Sequence, residues 1–375
     1  MRHRPTPGYT ERDLDHQEES LSIELPKRKG ESAIHLLDQM KLLNRKLAPR
    51  ATEDMILLPL IREPTPIEAH ELEKALGKQS LAREKFHPRS EAVGSLEEIL
   101  AQRVPVEIVP LVSKSFDIIG DIAIIELSAS AEKFERMIAE ALMEVHKSVR
   151  TVYSKAGPIT TSQRLRPLHL VLGADHSETI HKEHGCRFKV DVLKAFFSPR
   201  LSSEHKRVAE QVKPNEAVVD MFAGVGPFSI LIAKRLEKVK VHAVEANTEA
   251  TKLIEENARL NRVLDKITVW SGDAGTVVRK SLSGSADRVI MNHPSEAHRF
   301  LEDAGRAIKR SGGTIHYYTF ADGEDCETKA KQEFAQGLSN SKWDIERTTT
   351  HRVRGVAPMK WQIVVDARVV PVKAR

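Results

Sequence analysis

The sequence predicts a doubly wound α/β domain in its C-terminal half, and three observations lead to this fold class. A short apolar run at 218–220 ends in an acid, and a turn with two glycines, Gly224 and Gly226, follows it. An apolar helix pattern then covers 228–233. Further predicted strands at 241–245, 267–270 and 287–291 complete a series of alternating strands and helices, which is typical of a parallel sheet.

Polar residues mark the carboxyl ends of the four predicted strands. Asp220, Glu245 and Asp273 follow the first three, and Asn292-His293-Pro294 follows the fourth. Glu245 stands about where a doubly wound fold places a carboxylate to accept hydrogen bonds from ribose hydroxyls. A dinucleotide-binding turn would have a third glycine, but Ser229 occupies that position. The combination looks like an S-adenosylmethionine methyltransferase rather than a nicotinamide-dependent dehydrogenase.

Longer motifs carry a more specific resemblance. The segments 181–188, 197–201, 220–229, 292–294 and 313–318 resemble the archaeal and eukaryotic type of tRNA (guanine-N1)-methyltransferase, in order, from about residue 30 to 370. The resemblance implies a Rossmann-like methyltransferase domain preceded by two smaller α+β domains. It also implies S-adenosyl-L-methionine as cofactor and methyl transfer to N1 of the guanine at tRNA position 37, beside the anticodon.

The same resemblance implies catalytic roles for four residues. Glu204 is expected to act as the general base for the N1 proton, and Arg164 to stabilise O6. Asn292 is expected to bind the guanine edge while Pro294 fixes the loop. Two alternatives stay open: Glu204 could be a glutamate that the helix dipole favours at a helix start, and Arg164, like Arg166, could grip phosphate.

Cofactor contacts follow from the resemblance and from the strand ends. Phe222 and the glycine turn would flank the methionine part, Glu245 would hold the ribose, and Asp273 would accept from the adenine amino group. The full set of expected contacts is His205, Asp220, Phe222, Gly224, Gly226, Glu245, Ala246, Asp273, Ala274 and Asn292.

Three positions depart from the family pattern. His205 stands at a cofactor-contact position where arginine occurs in the family. Phe196 stands where some members have a tyrosine near the base, so only stacking remains there. His293 replaces a usually apolar residue inside Asn-x-Pro. The sequence does not decide whether this imidazole alters pH dependence or points to solvent.

Charge and composition fit a protein that binds RNA. The net charge is +5, and residues 148–213 hold twelve Lys and Arg against six Asp and Glu. Concentrated positive charge favours a phosphate-rich partner, although a solvated face is the commoner explanation.

The two cysteines, Cys186 and Cys326, lack metal-ligand spacing, so we expect no metal site. No signal peptide or transmembrane segment is evident, and we expect a cytoplasmic monomer.

The sequence divides into five predicted segments. Residues 1–29 are predicted to be a poorly ordered tail, and 30–63 a small α+β module that the resemblance equates with the domain touching the outer corner of tRNA. Residues 64–93 are predicted to be a linker, 94–196 an α+β RNA-binding domain, and 197–375 the methyltransferase domain. Within the predicted RNA-binding domain, 94–196, we expect strands at 108–112 and 118–127, a helix near 134–145, and a hairpin turn at 183–185.

Two other functions remain open at this point. A relative in the same superfamily methylates a tricyclic wyosine-type derivative of the same guanine, and the sequence does not exclude that activity. Another relative transfers an aminocarboxypropyl group, which the Pro227-Phe228 turn and the intact Asn-x-Pro disfavour. The chain could also be a non-catalytic tRNA-binding protein on a methyltransferase fold, which the retained acids and Glu204 disfavour.

Overall fold

The computed structural model describes residues 17–52, 54–77, 79–88, 95–112, 116–157, 167–339 and 341–372. The chain forms two compact units, Met1–Glu98 and Ile99–Arg375. Arg164 and Arg166 lie outside the described residues. Within the described ranges, no helix is both long and apolar enough to cross a membrane.

The N-terminal unit is a four-stranded sheet with two helices. Its elements are β1 (Glu18–Pro26), α1 (Gly30–Gln39), β2 (Arg50–Ala51), β3 (Met55–Pro59), α2 (Pro66–Leu76) and β4 (Ser80–Phe86), with a 3₁₀ turn at Lys27–Lys29. The strand order is β2-β3-β1-β4, and β1 pairs antiparallel with both β3 and β4. Ile23, Leu37, Leu58 and Leu72 bring both helices and the central strands into one apolar core.

Two of the predicted segment boundaries need correction here. Strand β1 lies in the predicted tail, where Leu21, Ile23 and Leu25 alternate with polar residues at the period of a strand. Helix α2 and strand β4 lie in the predicted linker. Thr65 starts α2 with a capping box to Glu68, a signal that was present in the sequence. The small module therefore extends from residue 18 to about residue 88.

The second unit begins with a smaller mixed sheet. Helix α3 (Leu96–Ala101) contains the boundary between the two units. After it come α4 (Val109–Val112), β5 (Phe116–Ile119), β6 (Ile122–Ile125), α5 (Ala129–Glu132), α6 (Glu135–Val145), β7 (Thr151–Lys155) and β8 (Leu168–Gly173). The strand order is β5-β6-β7-β8. Strands β6 and β7 are parallel because α6 makes the crossover between them.

Two strand predictions in this region are wrong. The segment 108–112 contains the helix α4, since Pro110 in its first turn suits a helix start and would interrupt a strand ladder. The segment 118–127 is a hairpin rather than one strand. Gly120, at φ 58°, turns the chain there, and a Cβ would clash with the Thr179 hydroxyl oxygen. The predicted helix near 134–145 is confirmed as α6.

A hairpin links the two sheets of this unit in the chain. It consists of β9 (Glu178–Glu183) and β10 (Cys186–Asp191), which confirms the predicted hairpin turn at 183–185. His184 and Gly185 in this turn have positive φ. Cys186, Phe188 and Val190 are buried in the same core cluster as the helices of the large sheet. The hairpin therefore packs against the helices of the large sheet, and its Thr179 and His181 side chains also accept hydrogen bonds from the backbone of the turn between β5 and β6.

The large sheet has the predicted doubly wound architecture. Its strands are β11 (Ala217–Asp220), β12 (Lys240–Glu245), β13 (Ile267–Ser271), β14 (Arg288–Met291), β15 (Gly313–Asp322), β16 (Trp343–Ala357) and β17 (Lys360–Pro371). The order is β13-β12-β11-β14-β15-β17-β16, with β17 antiparallel to its neighbours. The direction of winding reverses between β11 and β14, and ligands bind at such a switch point.

Helices cover both faces of this sheet. They are α7 (Ser202–Gln211), α8 (Pro227–Arg235), α9 (Thr248–Leu260), α10 (Ala274–Val277), α11 (Leu301–Ala307) and α12 (Cys326–Leu338). Short turns of other helix types occur at Pro199–Leu201, Leu264–Lys266, Val278–Leu282 and Ala297–Phe300. Two separate apolar clusters fill the two faces, so the central strands β11 and β14 are buried on both sides.

Candidate active site

A cavity of about 440 Å³ lies at the carboxyl ends of β11, β12, β13 and β14, at the switch point. Its wall comes from the loop before α7, the glycine turn, the strand-end acids and the Asn-x-Pro loop. The lining residues are Phe196, Phe197, Ser198, Leu201, His205, Met221, Phe222, Ala223, Gly224, Pro227, Phe228, Glu245, Ala246, Gly272, Asp273, Ala274, Asn292, His293, Glu296, Arg299 and Phe300.

The glycine turn is held against the end of β12. Gly224, at φ 58°, donates its backbone N–H to Oε2 of Glu245 over 2.8 Å, and Asn247 donates its own to Oε1 over 2.9 Å. Burial raises the pKa of Glu245, and the hydrogen bonds from the backbone partly offset this rise in pKa. The backbone N–H groups of Gly224, Ala246 and Asn247 thus occupy some of the roughly four lone-pair sites of the carboxylate. Glu245 lines the cavity and keeps the capacity to accept a further hydrogen bond from a ligand there.

Asp220 holds the inside of the same turn. It is fully buried, and its Oδ2 accepts a hydrogen bond from Ser229 Oγ over 2.8 Å. Burial raises the pKa of Asp220 to about 7. Gly226, at φ 89°, ends the turn and caps α8. Neither Asp220 nor Gly226 lines the cavity, so their contribution is to shape the turn.

Asp273 sits at the start of α10. Its Oδ1 accepts a hydrogen bond from the backbone N–H of Thr276, so Asp273 is the N-cap of this helix. No hydrogen-bond partner of its Oδ2 occurs among the residues that the structure describes. Asp273 lines the cavity, so this oxygen can accept a hydrogen bond from a donor group of a ligand there.

A buried acid and imidazole pair occupies the other end. Nδ1 of His205 donates to Oε1 of Glu183 over 2.7 Å, and both side chains are almost fully buried. The His205 ring stands edge-on to Phe228, with centroids 4.6 Å apart. His181 lies with Nε2 3.9 Å from the second Glu183 oxygen, and burial lowers the pKa of His181. For Nε2 of His205, the described part of the chain offers no hydrogen-bond partner.

The Asn-x-Pro loop closes the cavity over the turn. The Phe222 ring contacts both His293 and Phe300, at centroid distances of 5.1 and 5.2 Å. Asn292 lines the cavity and its Oδ1 accepts a hydrogen bond from Nε2 of Gln362 over 3.3 Å. Pro294 in this loop is buried and does not line the cavity.

Glu204 lies in the first turn of α7 inside a buried polar network, and it does not line the cavity. Arg207 donates to both its oxygens over 2.7 and 2.8 Å, and the Tyr318 hydroxyl donates over 2.6 Å. Arg207 also binds Asp366, which accepts a hydrogen bond from Nδ1 of His316. Burial and the Glu204 carboxylate raise the pKa of Tyr318 well above its usual value, so the phenol remains a donor.

A second cavity, of about 560 Å³, adjoins the first and shares Phe196, Phe197 and Ser198 with it. Four basic side chains line it. Lys155 and Arg200 are paired with Glu126 and Asp117 at 2.7 and 2.5 Å, and Lys360 lies 3.9 Å from Asp322. Arg354, the fourth, has no carboxylate within 4.0 Å among the described residues. Burial and the nearby Arg200 lower the pKa of Arg354.

The structure brings most of the predicted cofactor residues to one wall and places the others elsewhere. The predicted residues that line the first cavity are His205, Phe222, Gly224, Glu245, Ala246, Asp273, Ala274 and Asn292. The other predicted residues do not line this cavity: Asp220 and Gly226 shape the glycine turn, and Pro294 lies buried in the Asn-x-Pro loop. Glu204 is hydrogen-bonded to Arg207 and Tyr318. Arg164 lies outside the described residues, and its role stays a prediction.

Sequence reasoning missed the residues that hold these groups. Glu183 lies in the segment 181–188 that carries the family resemblance, but nothing in the sequence pairs it with His205. Gln362 lies on a strand and Arg207 on a helix. A single polar residue in either element does not indicate in the sequence that it belongs to a site. A buried glutamine in the apolar run 361–365 was the one available clue for Gln362.

Comparisons with known proteins agree with this geometry. The family profile of the TRM5/TYW2 methyltransferase domain matches residues 179–345, and the TYW2 N-terminal domain matches 96–176. The tRNA (guanine(37)-N(1))-methyltransferase Trm5b of Pyrococcus abyssi is 35% identical over 350 residues, which is 93% of this chain and 99% of that protein. The solved complex of aTrm5 with tRNALeu is 30% identical, with a TM-score of 0.64, and covers 93% of this chain and 99% of that chain.

A shorter relative has a different reaction. The tRNA(Phe) (4-demethylwyosine(37)-C(7)) aminocarboxypropyltransferase of Pyrococcus horikoshii is 33% identical over 274 residues, which is 73% of this chain and 96% of that protein. The similarity to Trm5b thus extends over a larger share of the chain than the similarity to this transferase.

Proposed function

This chain belongs to the TRM5/TYW2 methyltransferase family, and we propose that it methylates N1 of the guanine at position 37 of tRNA. S-adenosylmethionine is its methyl donor and tRNA its partner. The observation that carries the proposal is the match to Trm5b along 93% of the chain, together with one cavity that unites the expected cofactor contacts.

The donor set of the first cavity fits S-adenosylmethionine. Glu245 offers acceptors for the ribose hydroxyls, and the free oxygen of Asp273 suits the adenine amino group. His205 lies at the other end, where the methionine carboxylate requires a donor. When bound, the cofactor supplies an electrophilic methyl group on sulfur. The protein has to hold that methyl group in line with the attacking nitrogen.

Guanine N1 carries a proton at neutral pH, so it becomes a nucleophile only when a base removes that proton and a donor stabilises charge at O6. The second cavity has basic residues and shares a wall with the first, which suits a flipped-out base next to the cofactor. Phe196 in the shared wall offers a stacking surface. Arg164 is proposed as an O6 donor on the family resemblance alone.

Glu204 is the proposed proton acceptor. Leu201, three residues earlier, lines the first cavity and Arg200 lines the second, so the first turn of α7 lies at the junction of the two. Glu204 would have to exchange its hydrogen bonds with Arg207 and Tyr318 for one to the base. The alternative, a structural anchor for α7, predicts different mutant behaviour.

Glu183→Gln is expected to weaken binding of S-adenosylmethionine by about ten- to a hundredfold, the value of a charge-assisted hydrogen bond. The Glu183 carboxylate accepts from Nδ1 of His205 and holds the ring at the cavity wall. Neutral glutamine can make only an uncharged hydrogen bond to the ring, so the imidazole is held less firmly at the methionine end. Titration calorimetry should show the loss for S-adenosylmethionine and S-adenosylhomocysteine, both of which carry that carboxylate.

Methylthioadenosine, which lacks the carboxylate, provides the control for Glu183→Gln. Its affinity should stay unchanged, and adding His205→Arg should restore S-adenosylmethionine binding because arginine is always charged. An equal loss for all three ligands would mean that Glu183 only maintains the fold.

Deletion of residues 1–92 is expected to weaken tRNA binding and leave cofactor binding intact, because the first cavity is built entirely from residues 196–300. The cut falls after β4, so no strand of the N-terminal sheet is left without its partner. Affinity should fall with salt as counterions are released. The slope of log K against log salt should shrink by about one for each lost phosphate contact. An unchanged slope would mean that the N-terminal unit does not contact the phosphates of tRNA.

The proposed function predicts transfer of label from methyl-labelled S-adenosylmethionine to a transcript with guanine at position 37. A transcript with adenine there should take up none. A tRNA carrying 4-demethylwyosine at position 37 is the second substrate to test, because a methyltransferase for that base is also a relative of this chain. Labelling of the wyosine substrate alone would reassign the enzyme to that reaction.

A further inference from the structure

Three polar side chains form a chain of hydrogen bonds from the second cavity to the first. Nε of Arg354 donates to Oε1 of Gln362 over 3.0 Å, and Nε2 of Gln362 donates to Oδ1 of Asn292 over 3.3 Å. Arg354 and Gln362 are direct cross-strand neighbours on β16 and β17. Gln362 is 1% exposed, while Asn292 lines the first cavity and Arg354 the second.

The guanidinium determines the direction of this chain. Arginine has donors and no acceptor, so the oxygen of the Gln362 amide has to face Arg354. The Gln362 NH₂ group then faces Asn292, which has to turn its own oxygen toward it. The NH₂ group of Asn292 is consequently left for the cavity. A donor-only residue at one end thus fixes the orientation of two amides.

From this order of donors we infer that Arg354 and Gln362 are positioning residues that make Asn292 a hydrogen-bond donor to O6 of the target guanine. The inference rests on the proposed function and assigns its base specificity. Guanine has an acceptor at O6, where negative charge gathers when N1 loses its proton. Adenine has a donor, its amino group, at the corresponding position. An Asn292 fixed with its NH₂ toward the base favours guanine and opposes adenine.

The test is a pair of variants at Gln362 in the full-length protein. In Gln362→Glu the new carboxylate accepts hydrogen bonds from Arg354 and from the NH₂ group of Asn292. The Asn292 amide is thereby reversed, and its Oδ1 faces the base. Single-turnover methylation of guanine-37 transcript should fall on the order of 10²-fold, as for loss of a donor at a developing charge. Gln362→Leu removes both hydrogen bonds without reversing the amide, and should cost up to about tenfold.

A modified substrate separates orientation from folding. The wild-type protein should react more slowly with 6-thioguanine at position 37, since sulfur is a weaker acceptor than oxygen. That penalty should shrink in both Gln362 variants when the rates are measured at saturating S-adenosylmethionine. Arg352→Gln, on the same strand and paired with exposed Glu327, is the control and should behave as wild type.

The outcomes distinguish this inference from the proposed function. If wild-type protein does not methylate the guanine-37 transcript, the proposed function fails and the inference fails with it. If it does, then a wild-type rate in Gln362→Glu overturns the inference. So does an equal slowing of the guanine and 6-thioguanine substrates, because a merely structural role for Gln362 would slow both alike.

Discussion

Glu204→Gln is expected to lower the single-turnover rate of methyl transfer by ~10²–10⁴-fold, the usual contribution of a general base. Glutamine keeps the shape of the side chain but cannot take the N1 proton. The affinities for tRNA and S-adenosylmethionine should change little. A rapid-quench series on the guanine-37 transcript, with protein and cofactor in excess, measures the chemical step directly.

Tyr318→Phe is the matched variant for Glu204→Gln. It removes the 2.6 Å hydrogen bond to the same carboxylate and leaves the carboxylate in place. Both variants should lower the melting temperature, because both remove a buried hydrogen bond. If Glu204 is the base, Tyr318→Phe keeps its rate while Glu204→Gln loses it. A parallel loss of rate and stability in the two would instead identify Glu204 as an anchor of α7.

Arg207→Met is expected to lower the free energy of unfolding at pH 7 by about 3–5 kcal/mol, which is typical when one partner of a buried ion pair is removed. Arg207 joins α7 to β17 through Glu204 and Asp366. Without its guanidinium, two buried carboxylates lose their cation. Urea unfolding measures the difference. Lys206→Met, an exposed neighbour on the same helix, is the control and should cost less than about 0.5 kcal/mol.

The effect of Arg207→Met should depend on pH. Burial by itself would raise the pKa of Asp366, but hydrogen bonds from His316 and Arg207 outweigh it and hold that pKa well below its usual range. A carboxyl whose folded pKa is lowered stabilises the protein above its unfolded pKa and loses that contribution as pH falls. The gap between wild type and Arg207→Met should therefore narrow toward pH 4. A gap that is constant with pH, or no larger than that of Lys206→Met, would contradict this account of the network.

The large sheet could be predicted because its signals are local. Each strand is a short apolar run with a polar end, and the glycine turn marks the first crossover. Short segments such as 108–112 and 118–127 were harder, since β-branched residues favour a strand while one proline or glycine decides otherwise. Strand β1 was missed because its alternating pattern follows a polar stretch that has no periodicity.

The cofactor wall could also be predicted, because strand ends of a parallel sheet meet at one edge. What the sequence could not supply were partners far apart in the chain. Glu183 and His205 are separated by 22 residues, and Asn292 and Gln362 by 70. Gln362 reaches Asn292 only because β17 inserts between β15 and β16. Glu204 was identified by resemblance, and its bonds to Arg207 and Tyr318 emerged only from the fold.

The most direct test of the central claim is the identity of the modified nucleoside. Wild-type protein, S-adenosylmethionine and a guanine-37 transcript should be incubated together, and the digested RNA analysed by mass spectrometry. The predicted product carries one methyl group per tRNA, found as N1-methylguanosine and located at position 37. An aminocarboxypropyl adduct, a methyl group on another atom or position, or methylation of the adenine-37 transcript would contradict it.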